Sequence, residues 1–217
     1  MMSSVFLSRL IGLARESVIA YVGGIGAEVG AYHVAFILPE LLNHIVASGF
    51  LSVTFIPIFS RYLVDDNEAE GWRVFSLIAT CFGSLLILFI ALSVLFAPQL
   101  VALCAPGAGM NDPLLFAKAV RMTRIILPAQ FFFFIGGLLM AVQFAKQRFF
   151  IPALAPLIYN SGIIAGGLLL GGRFGMEGFA WGVLAGAFAG NLGVQLLGAG
   201  RCGLSYRPLW NWRHPDF

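Results

Sequence analysis

Apolar residues in this chain fall into separated runs of roughly 20, the length a helix needs to cross about 30 Å of hydrocarbon. The runs predict helices over about Met2–Gly23, Val29–Leu63, Trp72–Phe96, Leu114–Ala145, Phe150–Leu170 and Gly178–Gly200. The second run is too long for one straight span. It contains Pro39 and Pro57, each of which removes a backbone hydrogen bond and clashes with the preceding turn, so a kink or break is expected near both. Between the third and fourth runs, Pro98, Pro106, Gly107, Gly109 and Pro113 punctuate a connection that reads as an extramembrane loop. The pattern is that of an all-α integral membrane protein, a bundle of about six transmembrane helices over residues 1–200, with a short polar tail over 201–217.

Composition supports this reading. Hydrophobic residues make up 59% of the chain and charged residues 11%, with a mean hydropathy of +0.91, far from the balance of soluble domains. Arg9, Arg15 and Glu16 interrupt the stretch where the uncharged core of a signal peptide would lie, so the first run is expected to stay as a helix. Cys81, Cys104 and Cys202 are scattered, with no metal-ligand spacing, and read as small apolar fillers. The chain shows no Walker loop, no hydrolase triad spacing and no HExxH, which argues against an enzyme and gives no reason to expect a cofactor. No basic run with interleaved aromatics suggests nucleic acid.

Charge distribution sets the expected orientation. With six spans, one membrane side holds both termini together with Arg61, Arg73, Lys146, Arg148, Arg201, Arg207 and Arg213, while the other offers Lys118, Arg121 and Arg173. The positive-inside rule then places both termini in the cytoplasm. Asp65, Asp66, Glu68 and Glu70 on the same side read as a solvated loop.

Candidate chemistry concentrates in the first run. Ser4, Ser8, Arg9, Gly12, Arg15 and Glu16 fall within a sector of about 140° on a helix, leaving the opposite face for lipid. Ionised groups at membrane depth cost a few kcal/mol unless they face a bundle interior or water, so this face points into a cavity. An internal ion pair between Glu16 and Arg9 or Arg15 is the plain alternative, but two arginines against one glutamate leave a positive charge. Guanidinium groups in a cavity suit a phosphorylated ligand, which they grip in bidentate fashion. Glu40, Asn43 and His44 follow Pro39 within one turn; they either line a pathway or bond the carbonyls that the proline frees. His44 and His33 alone are weak signals of a proton switch. Lys118, Arg121 and Arg124 form a basic stripe, read mainly as solvated or touching head groups, with Arg124 a lesser substrate candidate. Gly178, Gly182, Gly186 and Gly190 recur at every fourth position and predict close helix packing, within the bundle or against a missing half.

The segments Phe6-Leu-Ser-Arg-Leu-Ile-Gly-Leu-Ala-Arg-Glu16, Ala35-Phe-Ile-Leu-Pro39, Phe55-Ile-Pro-Ile-Phe59, Arg124-Ile-Ile-Leu-Pro128 and Pro152-Ala-Leu-Ala-Pro156 resemble the MurJ (MviN) lipid II flippases of bacterial cell-wall synthesis. The resemblance spans essentially the whole chain. It implies one lobe of a two-lobe exporter of the multidrug/oligosaccharidyl-lipid/polysaccharide superfamily, working by alternating access. It also implies a second six-helix lobe as partner, with the tail leading towards it, and hence a truncated chain or a split transporter. Arg9 and Arg15 would then hold the pyrophosphate of the lipid-linked substrate, with Glu16 as their charge-coupled partner. Two positions depart from the family pattern. Asn43 stands where a further cavity arginine is usual, and Gly30 where an aspartate is frequent, so either the ligand is a differently charged lipid-linked glycan or another residue such as Arg124 compensates. Ser8, Arg9, Arg15, Glu16, Asn43 and Arg124 are the expected substrate-binding residues. Export of another glycolipid or a drug, or a non-transporting assembly subunit, are the competing readings; a drug exporter would be expected to carry net acidic spans.

Overall fold

A computed structural model describes residues 2–24, 26–47, 55–105 and 112–210, and the side chains of all of these except residues 2–6 and 45–47. Helices follow one another along the chain: α1 (Met2–Gly23), α2 (Ala27–Ala47), α3 (Ile56–Val64), α4 (Glu68–Leu95), α5 (Ala97–Cys104), α6 (Pro113–Ile126), α7 (Ala129–Ala145), α8 (Ala155–Phe174), α9 (Glu177–Gly186) and α10 (Val194–Gly200). A 3₁₀ turn, Pro152–Leu154, leads into α8, and a π-helical stretch, Ala187–Gly193, joins α9 to α10.

Among the described residues, four segments are long and apolar enough to cross a membrane: Glu68–Leu95, Pro113–Ala145, Pro152–Phe174 and Glu177–Gly200. These are the last four of the expected spans. In α1 and α2 the polar residues Arg9, Arg15, Glu16, Glu28, Glu40 and Asn43 lower the hydropathy. Leu85, Ile87, Leu88 and Phe89 on α4 and Leu168 and Leu169 on α8 are exposed, as side chains facing hydrocarbon would be.

Several expected boundaries are corrected. Pro39 lies inside α2, which continues past it to Ala47; Pro57 lies in the first turn of α3, and residues 48–54 before it lie outside the described residues. Pro98 likewise starts α5, a helix where a loop was expected; Pro106, Gly107 and Gly109 lie outside the described residues. The fourth run is one span but two helices. Its break falls at Leu127–Pro128, where Gln130 N–H and Phe131 N–H turn back to Leu127 O and Pro128 O at 3.1 and 3.2 Å. Glu68 and Glu70 belong to the first turn of α4 rather than to a loop, where carboxylates complement the helix dipole.

Two buried clusters form the core. One joins α2, α3, α4 and α7 through Leu42, Phe55, Phe59, Trp72, Phe75 and Leu138; the other joins α1, α2, α6, α8 and α9 through Ile19, Tyr32, Met122, Ile163 and Phe179. The glycine ridge packs inside the chain. A Cβ added at Gly166 would lie 2.5 Å from Gly182 Cα, and one at Gly162 would lie 2.6 Å from Gly186 Cα, so α8 and α9 touch backbone to backbone. The π-helical stretch frees a carbonyl that Gln195 caps: its Nε2 donates to Gly190 O and to Ile151 O, each at 3.3 Å, while Gln143 Nε2 donates to Gln195 Oε1 at 2.9 Å.

The described part of the tail is not free. It runs back along α4, with Arg207 N–H donating to Ser76 Oγ at 3.1 Å and the Tyr206 and Thr80 hydroxyls 3.1 Å apart. At its root, Lys146 Nζ reaches Glu68 Oε1 at 2.5 Å and donates to Cys202 O at 2.6 Å, while Trp72 Nε1 donates to Glu68 Oε1 at 2.9 Å. This knot ties the ends of α4, α7 and α10.

Candidate functional site

A cavity of about 590 Å³ opens between α1, α2, α7, α8 and α9. Arg15, Glu16, Tyr32, His33, Glu40, Asn43, Gln130 and Tyr159 give it a polar lining between Ile19, Phe36, Phe133 and Val183. The break at Pro128 helps to build it, since α7 restarts there and places Gln130 and Phe133 on the wall. Pro39 lines the cavity from α2, with Glu40 and Asn43 after it.

Arg15 is the centre of the polar network. Its Nη2 and Nε reach Glu16 Oε1 at 2.5 and 3.2 Å, and its Nη1 donates to Asn160 Oδ1 at 3.0 Å. Asn160 is buried on α8, and its Nδ2 donates to Pro156 O at 2.9 Å, which fixes which end of the amide meets the guanidinium. A charged group bonded at two edges loses little conformational freedom when it meets a ligand, so Arg15 is preorganised.

Of the expected site residues, Arg15, Glu16 and Asn43 come together in this lining. Arg9 and Ser8 lie earlier on α1, Arg9 exposed, and neither is among the lining residues. Arg124 is directed elsewhere: its Nε donates to Val94 O at 3.1 Å, bonding the end of α4. The lining therefore carries one arginine against Glu16 and Glu40, not the excess of guanidinium groups expected from the helix wheel. The ion pair between Glu16 and Arg15, the plainer alternative at the sequence level, is formed. The basic stripe is also more engaged than a solvated face: Lys118 pairs with Glu28, and Arg121 Nε lies 3.5 Å from Glu177 Oε2. His44 is exposed and lies outside the lining, whereas His33 is part of it.

Sequence reasoning missed Asn160, Tyr159, Tyr32 and Gln130. Each is a polar group inside an apolar run, which was a usable signal.

The sequence profile of the lipid II flippase MurJ family matches residues 19–217. The chain belongs to the MurJ lipid II flippase family. The probable lipid II flippase MurJ of Thermotoga maritima is 31% identical over 180 residues, covering 83% of this chain and 37% of that protein. The lipid II flippase MurJ of Burkholderia cenocepacia is 30% identical over 215 residues, covering 96% of this chain and 41% of the relative. The chain thus spans well under half the length of the curated MurJ relatives it matches. A solved structure titled lipid II flippase MurJ, inward closed conformation, shares the fold, with a TM-score of 0.78 at 24% identity, over 98% of this chain and 43% of that one.

Proposed function

We propose that this chain is one six-helix lobe of a lipid II flippase, in which α1 and α2 are membrane spans alongside the four apolar ones. Paired with a second six-helix lobe, it moves an undecaprenyl-pyrophosphate-linked disaccharide-peptide across the bacterial inner membrane by alternating access, as a step of peptidoglycan synthesis. Both termini are cytoplasmic, and residues 201–217 lead towards the second lobe. The single observation that carries this reading is Arg15, held by Glu16 and Asn160 on the wall of a 590 Å³ cavity in a member of the MurJ family.

Arg15 binds the pyrophosphate, and Glu16 is the counterion that the incoming phosphate oxygens displace. Exchanging one anion for another keeps the guanidinium charge paired throughout, which avoids the cost of an isolated charge in a low-dielectric site. Asn43 and His33 face the same space and supply further polar contacts; Arg9, and Arg124 after a change of rotamer, act at the approaches. The test is native mass spectrometry of the purified chain with undecaprenyl pyrophosphate. Binding that falls at least tenfold in Arg15→Ala, but not in Arg173→Ala, supports the assignment; equal binding by both variants refutes it.

A second reading rests on Asn43 and Glu40. With one arginine and two carboxylates in the lining, the cavity also suits a lipid-linked glycan of lower negative charge. Tighter binding of a polyprenyl monophosphate sugar than of the pyrophosphate would favour it.

A further inference from the structure

The basic residues of this chain divide by what they touch. Arg15, Arg73, Lys118, Arg121 and Lys146 each lie against a carboxylate. Arg148 and Arg201 have no ion pair among the described residues, yet both line one hollow of about 350 Å³ together with Gln143, Gln147, Phe150 and Gly198. The backbone sets this up. Gln147 takes a left-handed φ of 57°, and Arg148 N–H closes the end of α7 onto Gln143 O at 2.7 Å. That reversal puts Arg148 on the wall of the same hollow as Arg201, which follows the last turn of α10. Lys146, two residues before Arg148, bonds Glu68 and Cys202 O and does not line this hollow, so it does not compete there for an anion.

Two arginines lining one hollow place like charges in one space, which an anion would offset, and a guanidinium's planar fork matches phosphate oxygens. The hollow lies where three segments long and apolar enough to cross a membrane end or begin, at Ala145, Pro152 and Gly200, the level at which head groups would meet such segments. Phe150 is 78% exposed beside it, and Phe149, stacked on Phe144 with centroids 5.8 Å apart, is 40% exposed. Exposed aromatic rings next to arginines at a helix end are suited to the boundary between acyl chains and head groups. A free phosphate ion would make no use of Phe150; a lipid would.

We propose that Arg148 and Arg201 form a binding site for the phosphate of an anionic membrane phospholipid, with Phe150 against its acyl chains. The site lies apart from the Arg15 cavity and shares none of its lining residues, so it holds a structural lipid and not the cargo. Its occupancy fastens the α7–α8 turn to the end of α10.

The test uses the full chain, purified in detergent and offered phosphatidylglycerol or phosphatidylcholine in native mass spectrometry. Preferential retention of phosphatidylglycerol, lowered about tenfold in Arg148→Gln/Arg201→Gln, is expected, since each interfacial arginine contributes several-fold to anionic lipid binding. Arg173→Gln, at another exposed helix end, leaves retention unchanged, and Arg148→Lys/Arg201→Lys keeps most of it. Each single glutamine variant loses several-fold, which preserves the test should the double variant misfold. Undiminished retention in the glutamine variants overturns the proposal. So does competition by millimolar inorganic phosphate as strong as that by the lipid, or a preference for undecaprenyl pyrophosphate through the same two arginines.

Discussion

Arg15 on α1 and Asn160 on α8 are joined by a 3.0 Å hydrogen bond across the wall of the cavity. They are 145 positions apart in sequence, and the contact depends on α1 packing against α8 at this height. Asn160→Leu removes both the bond to Arg15 and the one to Pro156 O, and should lower lipid pyrophosphate binding several-fold while costing about 1 kcal/mol of stability. Asn160→Asp keeps an acceptor for Arg15 but adds a third carboxylate beside it and loses the donor to Pro156 O, so it should weaken pyrophosphate binding at least as much. Binding by the leucine variant as tight as by the unaltered chain would remove Asn160 from the site.

The glycine contact between α8 and α9 leaves no room for a side chain. Gly166→Leu and Gly182→Leu would each push backbone from backbone, since even a Cβ at Gly182 lies 2.7 Å from Gly162 O. Each should cost about 3 kcal/mol or more. Thermal denaturation in detergent reads this directly. A matching change at Gly12, where a Cβ meets nothing within 4 Å, should be nearly silent.

The buried glutamines test whether the π-helical stretch needs its cap. Gln195→Leu removes its bonds to Gly190 O and Ile151 O and the one from Gln143, at about 1–3 kcal/mol, although Ile151 O keeps Leu154 N–H and Gln143 Nε2 keeps Leu139 O. Gln143→Leu with Gln195→Leu should cost less than the sum of the single changes, because the pair is then removed together. Additive losses in a double-mutant cycle would show that the two side chains act independently.

Lys146 gathers Glu68, Cys202 O and, at 5.8 Å, the Trp72 ring. Glu68 is partly exposed, so screening limits the pair itself, and Lys146→Ala should cost only about 1 kcal/mol. The sharper effect is local: the root of the tail loosens, and limited proteolysis near Cys202 should speed up while the global melting temperature moves little.

Much of the fold was legible because hydrocarbon imposes its own length on helices. The four apolar spans, the close packing of the glycine ridge and the polar side of α1 at Arg15 all follow from periodicity and residue size, although the ridge's partner, α8, does not. The prolines misled for a local reason. Pro57 reads as a kink or break within a run and Pro98 as part of a loop, but each lies in the first turn of a helix, a position that proline favours. The site was half visible. A helix wheel places Arg9 and Arg15 on one face, but it cannot show that the cavity lies at the height of Arg15 only. Nor can it find Asn160, whose role is set by its partner on another helix. Arg124 illustrates the same limit, since its bond goes to a carbonyl at the far end of α4, a contact between residues 30 apart in sequence.

The account's central claim is tested most directly by complementation in bacteria depleted of their own lipid II flippase, expressing this chain together with a second six-helix lobe. Growth is expected with both lobes, and its loss is expected when Arg15→Ala is introduced into a chain shown to be expressed and inserted. Growth as robust with Arg15→Ala as with arginine, or no growth from two inserted lobes, would contradict a flippase lobe that grips its cargo through Arg15.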